Sequence, residues 1–262
     1  MSELQTMQQE RSVLKWGGLA GIGGSILLVA AFVIVGVLVG APSGPVETVM
    51  NFPEVRAAHM VEEALYLGAL ALWAIHFVAM YRALRRTRLA SALFGSALGV
   101  TGLVVLAAGA LPQVAKAPLS ALYHAPGATS QEQATVVLLW QATQGMLNAL
   151  LVTGLLLVPI GLIGLGVAAL KAPAFGKGYG GLSVALGGVA LAAAFALVSD
   201  VSEIAVVAML SLIVFHIVLG WKVYSLSKTF SELAAGKEVE AIGRPDKASG
   251  STDGLKPAPI PR

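Results

Sequence analysis

Apolar residues run for about twenty positions at a time in six places along the chain, and polar residues gather between the runs. A helix needs about 20 apolar residues to cross a bilayer, so each run predicts one span. The first is expected at Gly17–Ala41. The second is expected at Ala64–Tyr81, with an outward extension to about Pro53. The third is Leu89–Leu111. The fourth starts near Glu132 and crosses by about Leu170. The fifth is Tyr179–Val198 and the sixth is Glu203–Tyr224. Ser225–Ala235 continues the sixth as an amphipathic turn or two. From about Gly236 to Arg262 the chain is Lys, Gly, Ser, Asp and Pro, too poor in apolar surface to order itself. The expected fold is an all-α polytopic transmembrane helix bundle. A cytoplasmic segment covers 1–16, the six-span domain covers 17–226, and the tail covers 227–262, disordered from about 236.

Small residues recur at helical spacing inside the runs: Gly17, Gly21 and Ser25 in the first span, and Ser91, Gly95 and Gly99 in the third. The fifth carries two such tracks, Gly181 with Ala185 and Ser183 with Gly187. Lipid provides no hydrophobic drive between helices, so close approach of small residues holds such bundles together. Pro159, flanked by Gly154, Gly161 and Gly164, predicts an ordinary kink in the fourth span rather than a broken-helix site. Gly18 to Gly24 lies inside a span with no preceding strand, which excludes a phosphate loop. The first apolar run also exceeds the roughly 7–15 residues of a cleaved signal, so it is expected to stay as a span.

Composition fits this picture. The chain is 56% hydrophobic and 12% charged, against about 25% charged in a soluble domain. It has no cysteine, which excludes disulfides, thiolate metal ligands and a cysteine nucleophile. Its basic residues fall on alternate connections. With both termini in the cytoplasm, 15 of the 17 Lys and Arg lie inside, and only Arg56 and Lys116 lie outside. Basic loops resist translocation, so this fixes the expected orientation. The basic residues flank spans, and nucleic acid is not an expected partner. The acids divide the other way: Glu47, Glu54, Glu62, Glu63, Glu132, Asp200 and Glu203 are expected outside. A site for a cation or a proton therefore belongs on the outer side.

Ionisable residues in or beside a span are costly and point to function. His59, Glu62, Tyr66, Trp73 and His76 fall within about 100° of arc on an ideal helix, with Glu63 beside them. Gln141, Gln144 and Asn148 share a face of the fourth span. The candidate outer polar site is therefore His59, Glu62, Glu63, Tyr66, Gln141, Gln144 and Asn148. Asp200 and Glu203 are expected to cap the sixth helix. His76 and His216 sit at equal depth, each about 9 Å from the inner boundary, and are candidate axial ligands of a b-type haem. No catalytic group and no metal site is expected.

The turn Tyr81-Arg82-Ala83-Leu84-Arg85-Arg86 is followed by a Gly-rich helix. Later come Gly166-Val167-Ala168-Ala169-Leu170-Lys171, Pro173-Ala174-Phe175 and Gly180-Gly181-Leu182. In this pattern the chain, over about Arg56 to Val198, resembles bacterial six- or seven-helix membrane proteins grouped as a domain of unknown function. The resemblance implies a bacterial cytoplasmic-membrane protein and carries over no functional residues. The expected function is a non-enzymatic accessory or interaction protein without a cofactor, in contact with the lipid bilayer and with a protein partner at the tail. The alternatives are a proton-coupled transporter of a small solute or cation, and a haem b electron-transfer subunit.

Overall fold

A computed structural model describes residues 3–40, 44–198 and 204–242. Every element assigned among them is helical: α1 (Glu3–Ile34), a π-helical turn (Val35–Val39), α2 (Pro45–Leu84), α3 (Leu89–Ala108), α4 (Ala110–Tyr123), α5 (Ser130–Ala169), α6 (Gly176–Val198) and α7 (Ala205–Ile242). Six helical stretches are long and apolar enough to cross a membrane, with α3 and α4 together forming one of them. They close a ring. α1 packs on α2 and α7, α7 on α6, α6 on α5, α5 on α3, and α3 on α2. The starts of α1, α3 and α6 and the ends of α2 and α5 meet at one end, which carries Arg82, Arg85, Arg86, Arg88 and Lys171. There Glu10 accepts hydrogen bonds from Arg86 at 2.8 Å and Arg85 at 3.4 Å. The other end, where α2 begins, carries Glu47, Glu54, Glu62 and Glu63.

Glycine lets the helices of the Arg-rich half approach to backbone contact. A Cβ on Gly161 of α5 would stand 2.6 Å from the Gly95 carbonyl oxygen and the Gly99 nitrogen of α3. A Cβ on Gly18 of α1 would stand 2.6 Å from the Tyr224 nitrogen of α7. Of the two small-residue tracks on α6, the bundle uses one. Ser183 is buried and donates to the Leu162 carbonyl at 2.8 Å, and Gly187 rests on Pro159 and Ile163. Gly181 meets nothing within 4 Å, so its track faces outward. Pro159 is buried inside a helix that runs without interruption through it.

At 40 residues each, α2 and α5 are about 60 Å long at 1.5 Å per residue, well beyond a hydrocarbon core of about 30 Å. Their excess projects at the acidic end, where α4 packs against both. The three helices build a small second core of Val49, Phe52, Val136 and Trp140, with Phe52 and Trp140 edge to face at 5.2 Å. This cap corrects two expectations. The second span begins at Pro45, not near Pro53, because proline suits the first helical turn. The third does not end at Leu111: the chain bends at Gly109 and continues as helix to Tyr123. Lys116 therefore sits on a helix rather than in an outer connection. The fourth span opens on a capping box, in which Thr129 and Glu132 bond each other's backbone nitrogens. The sixth continues as helix to Ile242, past the expected start of disorder at 236, because its Leu, Ala, Lys and Glu residues are good helix formers.

Candidate functional site

The main bundle and the cap do not close on each other. Between them lies a cavity of about 540 Å³. The α2 stripe supplies Glu62, Glu63 and Tyr66, α5 supplies Gln144 and Asn148, and α4 supplies Gln113. Its apolar wall comes from Phe32 and Val35 before and within the π-helical turn, from Leu147, Leu151 and Leu155 of α5, and from Met209 and Leu210 of α7. A π-turn widens the helix by a residue and is frequent at functional sites. Here Val35 and Gly36 face the cavity, and a Cβ on Gly36 would meet nothing within 4 Å. A smaller cavity of about 160 Å³ adjoins it, lined by Phe52, Arg56 and His59, with Glu63 and Gln113 shared between the two.

The polar side chains form three separate hydrogen-bonded groups. His59 Nδ1 lies 3.2 Å from Glu62 Oε2, and its ring stacks on Phe52 at 5.7 Å. The Tyr66 hydroxyl donates to the Leu106 carbonyl at 3.4 Å, near the bend where α3 gives way to α4. Lys116 Nζ donates to Gln144 Oε1 at 2.7 Å, and Gln144 Nε2 donates to Asn148 Oδ1 at 2.9 Å. The Lys116 ammonium also lies 5.3 Å from the centre of the Trp140 ring. Lys116 is only 7% exposed, and Glu62 and Glu63 are the carboxylates within its electrostatic reach. Glu63 Oε1 is buried and accepts no hydrogen bond. Six of the seven residues of the expected outer site thus border one or other cavity. The exception is Gln141, which is exposed and lines neither.

Lys116 and Gln113 are the site residues that sequence reasoning passed over. The third span was expected to end at Leu111, which left both residues beyond it. A signal was present, because Pro112, Lys116 and Ser120 recur at four-residue spacing and all three are buried on one face of α4. Asp200 and Glu203, the expected caps of the sixth helix, lie outside the described residues.

His76 and His216 meet in the middle of the Arg-rich half, both fully buried, with ring centroids 5.2 Å apart and planes crossed at 66°. Trp73 lies parallel on His216 at 4.1 Å, and Phe77 and Phe215 meet the same ring edge to face. His76 Nδ1 approaches the Gly17 carbonyl oxygen at 2.9 Å, which makes that nitrogen the donor. His76 Nε2 and both His216 nitrogens have no partner. Trp73 Nε1 donates to Ser25 Oγ at 3.4 Å, and Ser25 in turn donates to the Gly21 carbonyl at 3.0 Å. The α2 stripe is thus divided by depth. Its acidic part faces the cavity, and its Trp73–His76 part is sealed against α1 and α7.

No family model matches the chain, and no curated protein or solved structure matches it.

Proposed function

We propose that the chain is a six-span protein of the bacterial cytoplasmic membrane, with its Arg-rich end in the cytoplasm. In this reading it binds a small solute in the outer cavity as a proton-coupled transporter. The observation that carries it is the meeting of Glu62, Glu63 and Tyr66 with Gln144 and Asn148 around one cavity of about 540 Å³. Small-molecule sites commonly span about 300–1,000 Å³ and combine apolar walls with a few convergent polar groups. Carboxylates beside an imidazole supply groups that take up and release protons. The fifteen-to-two division of basic residues supports the orientation.

The accessory-protein reading would place a partner at the tail, of which residues 243–262 lie outside the described residues. For the haem reading, an axial pair must flank a porphyrin plane, whereas the crossed rings of His76 and His216 touch each other and are enclosed by Trp73, Phe77 and Phe215.

Proteoliposomes loaded with a pH-sensitive dye and challenged with a panel of small organic solutes test the proposal. At least one solute should drive proton movement, and Glu62→Gln should reduce it about tenfold or more, as loss of a proton-transferring group does. Proton movement that Glu62→Gln leaves unchanged would remove the proposed role of this site.

A further inference from the structure

From the charge and shape of the cavity we infer that its ligand is a small organic cation with an apolar body, and that Lys116 is a built-in counter-charge that sets how tightly this cation is held. The inference rests on the solute-binding reading above and names the ligand class for the same site. The charged side chains lining the larger cavity are Glu62 and Glu63, both acidic. The groups around them, Tyr66, Gln113, Gln144 and Asn148, are neutral and can turn an oxygen toward a cation. Most of the remaining wall is aliphatic or aromatic. Its rim residues Val206 and Leu210 are themselves exposed, at 59% and 52%, so an apolar body can enter past them. A carboxylate end and an apolar wall complement an ammonium group carried on a hydrocarbon.

Lys116 explains how two carboxylates persist side by side without a bound cation. It stands behind the cavity wall, not in it, and reaches the site through the Gln144 amide that lines the cavity. Among the described residues it forms no ion pair with a carboxylate. Its charge therefore offsets the acids at a distance and leaves Glu63 Oε1 without a donor. Glu62 and Glu63 line the larger cavity, whereas the Lys116 ammonium stands behind its wall and Arg56 lines only the smaller one, so the charged groups that a ligand meets in the larger cavity are carboxyl groups. Trp140 steadies the ammonium from its other side, at 5.3 Å. When a cation arrives at Glu63, repulsion from Lys116 limits its affinity, so removal of Lys116 strengthens binding.

The test compares benzyltrimethylammonium with neopentylbenzene, its uncharged carbon isostere, by isothermal titration calorimetry. The full chain is held in lipid nanodiscs, and empty discs give the background. Wild type should bind the cation about tenfold more tightly than the isostere. Glu63→Gln should weaken the cation about tenfold and leave the isostere unchanged, while Lys116→Gln should tighten the cation about tenfold. Lys116→Met repeats the second arm with the apolar stem retained, and thermal unfolding of each variant verifies that it is folded. Equal binding of cation and isostere in wild type would overturn the cation assignment and leave the solute-binding cavity standing. Weaker cation binding in both folded Lys116 variants would overturn the counter-charge role alone. Failure of both probes to bind wild type would overturn the inference together with the solute-binding reading.

Discussion

Replacing Gly161 with leucine should cost about 3 kcal/mol or more of stability, the upper range of overpacking a tight core. The magnitude follows from what the new side chain would strike. Its Cβ would lie 2.6 Å from the Gly95 oxygen and the Gly99 nitrogen, which are backbone atoms of α3. A flexible neighbour could rotate away, but a helix backbone must move as a unit. Moving α3 disturbs the core in which Leu162, Leu165 and Ala92 are fully buried. Gly145 on the same helix is the control. A Cβ there meets nothing within 4 Å, so Gly145→Ala should be neutral or stabilise by up to about 1 kcal/mol through helix propensity. Denaturant or thermal unfolding in micelles measures both. Equal stabilities for the two variants would contradict the α3–α5 seam.

Trp73→Ala should cost about 3–5 kcal/mol, the usual range for truncating a buried aromatic. The indole is fully buried, stacks on His216 at 4.1 Å, and donates to Ser25 across the α1–α2 interface. His216→Leu makes a sharp contrast. His216 is equally buried, yet neither ring nitrogen has a partner. Leaving a polar group unpaired in a core costs about 1–3 kcal/mol, and an apolar side chain of similar size removes that cost. It also forfeits ring stacking worth about 0.5–1.5 kcal/mol. The two terms nearly offset, so His216→Leu should change stability by less than about 1 kcal/mol. Measured by the same unfolding, a loss as large as that of Trp73→Ala would show that the imidazole nitrogens hold something in the folded protein.

The spans and the polar stripe of α2 were legible because apolar run length and helical spacing are local properties. Gly95 and Gly99 stand out at four-residue spacing and form the α3 side of the seam. The pairing of Gly161 with them was not legible, because which glycine faces which depends on how the ring closes. The two tracks on α6 illustrate this: Ser183 and Gly187 look no different in sequence from Gly181 and Ala185, yet only the first pair packs. The outer site was read in most of its residues from α2 and α5 alone. Lys116 escaped because the third apolar run ends at Leu111, whereas helix continues beyond it with Pro112 in the first turn of α4, where proline is tolerated. Gln141 was assigned to the site because it shares a helical face with Gln144 and Asn148. Gln141 lies about two helical turns from Asn148 toward the start of α5, and the larger cavity, which takes in Gln144 and Asn148, does not extend to it.

The proposed function requires that water reach the cavity at the acidic end. The chain has no cysteine, so single cysteine variants report without background. In intact proteoliposomes, a membrane-impermeant, positively charged thiosulfonate should modify the Asn148→Cys variant from the side that the acidic end faces. It should leave the Leu162→Cys variant, at a fully buried core position of α5, unmodified. An Asn148→Cys variant as inert as Leu162→Cys would mean that the stripe of Glu62, Glu63 and Tyr66 does not open to water, and would contradict the account.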